Sequence, residues 1–327
     1  MVDTVVVIPH WNGYHLLDRC LRALRAQRYR DFRVVVVDNG STDGSPDHVE
    51  RTYPEICLIR SESNRGFAAA VNLGISAIDS RFVAVLNNDT EASPEWLSAL
   101  VSVAESVPDV GMLASTMLLA DRDGIIDGVG ICVDRAGFAW DCRGGEPDLH
   151  GDVSPFEVFG PSGGAALYRR AMLDEVGLFD EDFFAYLEDV DLAWRARKLG
   201  WRCLSVPDAR VLHWHSATAV EGSPFKSYHL GRNKVWLLAK NYPLRALWGF
   251  VPMVLLYDAF AVGYALTSRR DVHALRGRLA GWRGIHRIWA KRSAQNSAPD
   301  KSTRYLSSPR WPWQIRSQLA HIHRPSA

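Results

Sequence analysis

The chain has 327 residues, enough for one large domain or a domain with an appendage, and 47% hydrophobic with 23% charged side chains excludes a disordered or fibrous polypeptide. The formal charge of +1 hides an asymmetry: residues 243–327 carry 14 basic and 3 acidic side chains, whereas the first 242 residues carry 24 and 34. Five scattered cysteines, none spaced as CxxC, argue against a disulfide framework and against structural zinc, and with no basic, apolar leader at the N-terminus a reducing cytoplasm is the expected compartment.

The first hundred residues alternate strand and helix. Residues 4–8 are a β-branched run ending at Pro9, and residues 14–27 place Leu17, Cys20, Leu21 and Leu24 on one helical face. Apolar runs at 32–37, 56–59 and 82–86 predict three more strands, with a helix over 66–78 between the last two. Ser93-Pro94-Glu95 predicts a helix start, with serine as N-cap and proline at the first helical position. Runs that are apolar throughout, with helices between them, predict a parallel sheet buried on both faces. In such sheets ligands bind beyond the carboxyl ends of the strands, where this chain places Trp11-Asn12-Gly13, Asp38-Asn39-Gly40 and Asn87-Asn88-Asp89. Residues 110–168 read as irregular or antiparallel. A helix over 188–199 stopped by Gly200, strands over 202–206 and 210–212, and a helix over 225–239 follow, and residues 293–327 read as extended or mobile.

Several clusters carry candidate chemistry. Asp89 at a strand end suits a hard divalent cation, or else a simple turn. Asp38 suits a nucleobase N–H or a ribose hydroxyl, or else an Asx turn. Asn64 is placed to cap the following helix and Arg65 to face phosphate, although neither a dinucleotide fingerprint nor a P-loop is present. Glu188 and Asp189 open a helix whose dipole favours ionised carboxylates, as a general base requires, while Asp191 reads as an i,i+4 partner of Arg195. His213 and His215 share a strand face that could complete a metal site with Asp89, and Arg232-Asn233-Lys234 is a basic cluster on a helix.

The order of these motifs is more telling than any one of them. VVVIPHWNG, VVVVDNGSTDGS, NRGFAAAVNLG, VLNNDTEASPEWL, GPSGGAALYRR, GLFDEDFFAYLEDVDLAWRARKLGW, VLHWHSAT and GRNK together resemble the family 2 inverting glycosyltransferases, in particular rhamnosyltransferase-like bacterial members, over residues 4–242. The resemblance implies an α/β GT-A fold, a Rossmann-like nucleotide-binding half fused to an acceptor-binding half. It implies transfer of a sugar from a nucleoside diphosphate, with dTDP-rhamnose as the first donor and UDP- or GDP-sugars behind it, to a hydroxyl of a glycan or lipid-linked glycan. By position it implies Pro9, Asn12, Asp38, Asn39, Asn64, Arg65, Gly66, Asn88 and Arg232 at the donor nucleotide and Gly163, Gly164 and Glu188 around donor sugar and acceptor. It makes Asp189 the catalytic base, and Asp89 with His213 the ligands of Mg²⁺ or Mn²⁺. A non-catalytic sugar-nucleotide-binding scaffold is the rival class. Two departures stand out: one carboxylate in Asn87-Asn88-Asp89 where many relatives carry two, and His10 where many have asparagine or a small residue.

Beyond residue 242 the chain is an appendage. Residues 246–266 are long and apolar enough to span a bilayer, but Pro252 and Asp258 interrupt them. Five arginines between 276 and 292, with Lys291, Trp282 and Trp289, then suit a helix lying on an anionic membrane surface. Core packing, a dimer interface and, least, nucleic-acid binding are the alternatives. The expected location is the cytoplasmic face of the cell membrane.

Overall fold

The computed structural model describes residues 2–148, 154–214, 223–292 and 301–309. Strands β1 (Val2–His10), β2 (Phe32–Asp38), β3 (Cys57–Arg60) and β4 (Ser80–Leu86) alternate with helices α1 (Tyr14–Arg25), α2 (Ser45–Thr52) and α3 (Phe67–Ala77). There follow β5 (Thr90–Ala92), α4 (Trp96–Ser106), β6 (Val110–Leu119) and the short strands β7 (Ile126–Gly128), β8 (Ile131–Val133), β9 (Ala139–Asp141) and β10 (Phe156–Glu157). Then come β11 (Ala165–Arg169), α5 (Arg170–Val176), α6 (Glu188–Leu199) and β12 (Arg202–His213). The rest is helical: α7 (Pro224–Asn241), α8 (Leu244–Ser268), α9 (His273–Arg283) and α10 (Ile285–Arg292).

The main sheet runs β3-β2-β1-β4-β11-β6-β12-β10. β1, β2, β3 and β4 are mutually parallel, β6 is parallel to β12, and β11 lies antiparallel between β4 and β6. Both faces are covered, which is why the strands are apolar throughout. Val5 and Val7 of β1 enter one core with Ala68, Val71 and Ile75 of α3, while Val6 and Ile8 enter the other with Leu17, Leu21, Trp96 and Leu97 of α1 and α4.

The structure corrects several expectations. Residues 110–168 do contain the antiparallel pairings β6–β7, β8–β9 and β6–β11, but β6 itself is a ten-residue strand buried at almost every position, whose Gly, Ser and Thr residues blur the apolar run. The two strands expected over 202–212 are one, with a register shift between Val206 and Arg210. Ser93 does not cap α4, which begins at Trp96 behind a Pro94–Glu95 turn. Cys132 and Cys142, with Cα atoms 5.4 Å apart, form a disulfide across the β8–β9 hairpin, a pairing that spacing alone could not reveal. Within the tail expected to be mobile, residues 301–309 pack on the body: Trp194 Nε1 donates to Ser302 Oγ at 3.0 Å, and Arg197 stacks on the Tyr305 ring.

The C-terminal helices are joined to the body by close packing and by buried charge. A Cβ at Gly277 of α9 would strike the Tyr228 carbonyl of α7, and one at Gly281 would come within 2.9 Å of Arg232 O. Partners advance together along both helices, so α7 and α9 run parallel and α8 returns between their ends. Beneath them, Lys240 Nζ of α7 bonds Asp180 at 2.6 Å and Asp191 of α6 at 2.8 Å. Asp191 also holds Arg195 at 2.9 Å and Asn241 at 2.6 Å, and Lys291 of α10 reaches Asp180 and Asp182.

Burial pushes the Asp191 carboxyl up, but Lys240 and Arg195 pull it down further, to about 2. Its unfolded value is about 3.9, so the stability tied to this ionisation is complete above that pH and is lost as the pH falls through about 2. Replacing Lys240 with Met removes the cation from two buried carboxylates and should cost about 3–5 kcal/mol at neutral pH. The gap between variant and wild type should narrow below about pH 4 as Asp191 protonates. Denaturant unfolding at a series of pH values checks this, and a pH-independent gap would refute the role given to the ion cluster.

Candidate active site

Three loops at the carboxyl ends of the parallel strands form one rim. Asn12, at φ 54°, ties the loop after β1 to the loop after β2: its N–H donates to Ser41 Oγ at 2.8 Å and its Oδ1 accepts from Thr42 N at 2.9 Å. Pro9 lies half-buried beside it. Asp38, buried at the end of β2, accepts from Ser41 N at 3.1 Å, three residues on, one beyond the reach of the Asx turn that its sequence suggested. Asn39 turns its side chain onto the third loop, donating to Gly66 O at 3.0 Å and to Asn64 Oδ1 at 3.2 Å and accepting from Arg65 N at 3.1 Å. Asn64 caps no helix; its Oδ1 accepts from Gly66 N at 2.9 Å within the loop. Gly66 has φ 88°, and a Cβ there would lie 2.5 Å from Phe184 O, so only glycine fits. Arg65 is exposed and faces Glu181 at 3.6 Å.

The turn after β4 holds Asn88 and Asp89, both buried. His213, at the end of β12, is paired with Thr90 of β5, which brings its Nε2 3.5 Å from Asp89 Oδ1. Its Nδ1 meets Asp127 Oδ2 of β7 at 2.6 Å. Burial disfavours the imidazolium, but Asp127 and Asp89 outweigh it and raise the pKa to about 10. A carboxylate on Nδ1 fixes the ring with Nε2 aimed at a second carboxylate, which is how metal-binding histidines are commonly oriented. Asp89, and His213 once its Nε2 gives up its proton to an incoming cation, therefore offer one oxygen and one nitrogen donor that fit a divalent ion. Among the described residues no three His, Cys, Asp or Glu side chains form a complete cage. His215 lies outside the described residues. Asp127 carries no sequence signal, because it reaches His213 only through the β6–β7 and β6–β12 pairings.

His10, whose role the sequence left open, is buried against Asn88. An amide nitrogen only donates, so Asn88 Nδ2 gives one hydrogen to His10 Nδ1 at 2.9 Å and one to Asn12 O at 3.2 Å. His10 Nε2 then carries the proton and donates to Ser45 Oγ at 2.7 Å, which donates to Asp43 Oδ1 at 2.5 Å. Burial lowers the His10 pKa despite Asp38 and Asp43 nearby, keeping the ring neutral and Nδ1 an acceptor. His10 and Asn88 are thus partners: a bare imidazole nitrogen needs an amide donor, not a carboxylate, at position 88.

Opposite this turn, the Gly163–Gly164 segment leads into β11. Asn87 N donates to Gly164 O at 2.9 Å, and Gly163 N donates to Asp189 Oδ2 at 2.9 Å. Val190 N holds the other oxygen, Oδ1, at 2.7 Å. Burial raises the Asp189 carboxyl and these amides pull it back, whereas Glu188, buried and repelled by Asp189, is pushed well above the usual carboxylate range. Both carboxyls are thus raised, Glu188 further than Asp189. The segment before them is strained, with Phe184, Tyr186 and Leu187 at φ 64°, 69° and 67°. Fully buried Asn233 holds it, donating Nδ2 to the carbonyls of Phe183, Ala185 and Tyr186 at 2.7–2.9 Å. Arg232, expected at the diphosphate, instead bonds Asp182 O and Phe183 O and packs over Trp236, because α7 faces this segment. Asn233 stood in the sequence as an ordinary helix residue.

Asn88→Asp should destabilise the fold by about 1–3 kcal/mol, by setting a carboxylate oxygen against the His10 Nδ1 lone pair. His10→Asn in the same chain, which restores a donor, should recover most of that loss, a coupling of about 0.5–3 kcal/mol in a double-mutant cycle of thermal unfolding. Strictly additive losses would show that the two positions do not act as a pair.

Comparison with known proteins identifies the fold and the family. Residues 5–177 match the family model for glycosyl transferase family 2. The N-acetylglucosaminyl-diphospho-decaprenol L-rhamnosyltransferase of Mycobacterium tuberculosis is 33% identical over 251 residues, which cover 67% of this chain and 78% of the relative. The O-antigen biosynthesis protein RfbC of Myxococcus xanthus is 27% identical over 73% of this chain and 20% of its own length. Among solved structures, GalNAc-T7 with UDP, GalNAc and Mn²⁺ superposes with a TM-score of 0.66 at 17% identity over 99% of this chain and 58% of that one. Staphylococcus aureus TarS 1–349 with UDP-GlcNAc gives 0.59 at 18% identity over 88% and 83%. The fold is GT-A, and the chain belongs to glycosyl transferase family 2, a family of sugar-transferring enzymes.

Proposed function

We propose that this chain is a metal-dependent inverting glycosyltransferase that moves a sugar, first of all rhamnose from dTDP-rhamnose, to a hydroxyl of a lipid-linked glycan at the cytoplasmic face of the cell membrane. The observation that carries this reading is the continuity of the Gly163–Gly164 segment: one of its residues bonds the turn holding Asp89, and the next bonds the carboxylate of Asp189. Leaving-group chemistry and acceptor chemistry are thereby set on either side of one short backbone.

Asp189 acts as general base, accepting the acceptor hydroxyl proton at the carboxylate while the oxygen attacks the anomeric carbon from the face opposite the diphosphate. One such base gives inversion in a single displacement, because retention by double displacement needs a second, nucleophilic carboxylate at the sugar. Asp89 and His213 would hold Mg²⁺ or Mn²⁺, which when bound supplies charge neutralisation at the departing diphosphate. Asp38 reads the base, and Pro9, Asn12, Asn39, Asn64, Arg65, Gly66 and Asn88 shape the nucleotide cleft; Asn39 and Asn64 do so by holding the loop. The rhamnosyltransferase name of the mycobacterial relative supports the donor and the lipid-linked acceptor. The Mn²⁺ found with UDP and GalNAc in GalNAc-T7, and with GDP-Man in the mannosyltransferase PcManGT, supports the cofactor class. Residues 1–242 form the catalytic unit and residues 243–292 its membrane-facing appendage.

Asp189→Asn keeps the size of the side chain but cannot take a proton, and its Nδ2 faces one of the two backbone N–H groups that the carboxylate accepted. Transfer from dTDP-rhamnose to a polyprenyl diphosphate-linked N-acetylglucosamine should fall by about 10²–10⁴-fold, while the metal-dependent thermal shift given by the donor persists. Near-normal turnover in the variant would remove Asp189 from this role.

A further inference from the structure

The membrane reading above leaves open how the appendage meets the bilayer. The twenty residues Gly249–Ser268 of α8 are long and apolar enough to cross a membrane by composition, and only 11% of that window is buried. Asp258 is its single charged residue. It faces inward, where Lys234 Nζ of α7 holds its Oδ1 at 2.9 Å and Arg278 Nη2 of α9 at 3.1 Å. Val254, Tyr257 and Ala265 lie on the same helical stripe and are buried. The opposite stripe carries Leu255, Leu256, Phe260 and Leu266, with Leu255 and Phe260 each 56% exposed.

Both ends of α8 are tied to one body. Arg292 bonds Tyr242 O just before α8, and Asp271 N bonds Ala265 O as the chain turns into α9. α9 then lies against α7 through Gly277 and Gly281. A helix crossing the bilayer would deliver α9 to the far side, away from α7, so this packing excludes a span. On α9, Leu275, Leu279 and Trp282 recur at i, i+4 and i+7 and are exposed, Trp282 at 58%. Arg276 and Arg283 flank that stripe, and Arg269 and Arg270 stand at the α8–α9 turn, all four exposed. The acidic side chains of residues 243–292 are Asp258 and Asp271, and both are paired.

We infer that the outer stripe of α8 and the Leu275–Leu279–Trp282 stripe of α9 form one docking face that lies in the plane of an anionic bilayer without crossing it, the exposed arginines meeting lipid headgroups. An uncharged apolar face rimmed by cations and lacking free carboxylates is complementary to such a surface. This inference rests on the membrane reading of the proposed function, but its test reads binding and is independent of sugar transfer.

The full-length chain is sedimented with vesicles of phosphatidylcholine alone and with phosphatidylglycerol added, in low and high salt. Wild type should partition onto the anionic vesicles and be released by high salt, as a surface-docked protein is and a spanning one is not. Leu255→Glu with Phe260→Glu should weaken partitioning by about tenfold or more, while thermal unfolding and the donor-induced thermal shift stay those of wild type. Arg269→Gln with Arg270→Gln should remove the preference for anionic lipid with the fold intact. Undiminished partitioning of the leucine–phenylalanine variant, or wild type resisting salt extraction, overturns the proposal. So does a wild-type dimer that ignores vesicles and that the same substitutions convert to monomer in light scattering, which would assign the face to a second copy of the chain.

Discussion

The antiparallel insertion of β11 between β4 and β6 is the constraint on which the site depends. A purely parallel sheet would place its loops side by side along one edge. Reversing one strand instead starts β11 at the rim, where Gly163 and Gly164 expose a backbone N–H to one side and a carbonyl to the other. The N–H fixes Asp189 and the carbonyl fixes the Asn87 turn, so two pieces of chemistry a hundred residues apart in the chain share one rigid support. Neither glycine is there for a left-handed backbone: a Cβ at Gly163 would meet the Phe67 ring at 3.0 Å and one at Gly164 would meet Met117 at 2.9 Å. Close approach is the requirement.

The carboxylate held by Gly163 must also be delivered from its own side, and that delivery is strained. Three non-glycine residues in the left-handed region before α6 persist because α7 over-determines them: Asn233 reaches the carbonyls of Phe183, Ala185 and Tyr186, and Arg232 shares that of Phe183 and adds that of Asp182. Lys240, further along α7, binds Asp191 two residues beyond Asp189. α7 is thus both the wall of the catalytic unit and the platform for α8, α9 and α10, so the helices proposed to meet the membrane rest on the same element that shapes the approach to Asp189.

Much of the candidate site's placement was legible in the chain. Strand ends with carboxylates or amides at Asp38, Asn88 and Asp89, and an acidic pair opening a helix at Glu188 and Asp189, are local signals, because strand and helix periodicity fix which residues terminate each element. What escaped were residues defined by their partners. Asp127 orients His213 across two strand pairings, Asn233 clamps a loop about fifty residues earlier, and His10 needs Asn88 to have a meaning. Arg232 shows the converse, a residue type suited to phosphate that the packing of α7 commits to backbone carbonyls.

The sequence by itself determined the alternating α/β order, the apolar strands covered on both faces, and the family pattern, since these follow from periodicity and residue type within short windows. Only the tertiary structure decided that residues 110–119 form a central strand, that Cys132 meets Cys142, and that Asp258 is an internal ion-pair partner and not an obstacle on a lipid-facing helix. Each of these depends on which distant backbone lies alongside. A carboxylate in an apolar helix reads as costly until a Lys and an Arg from two other helices are brought to within about 3 Å of it.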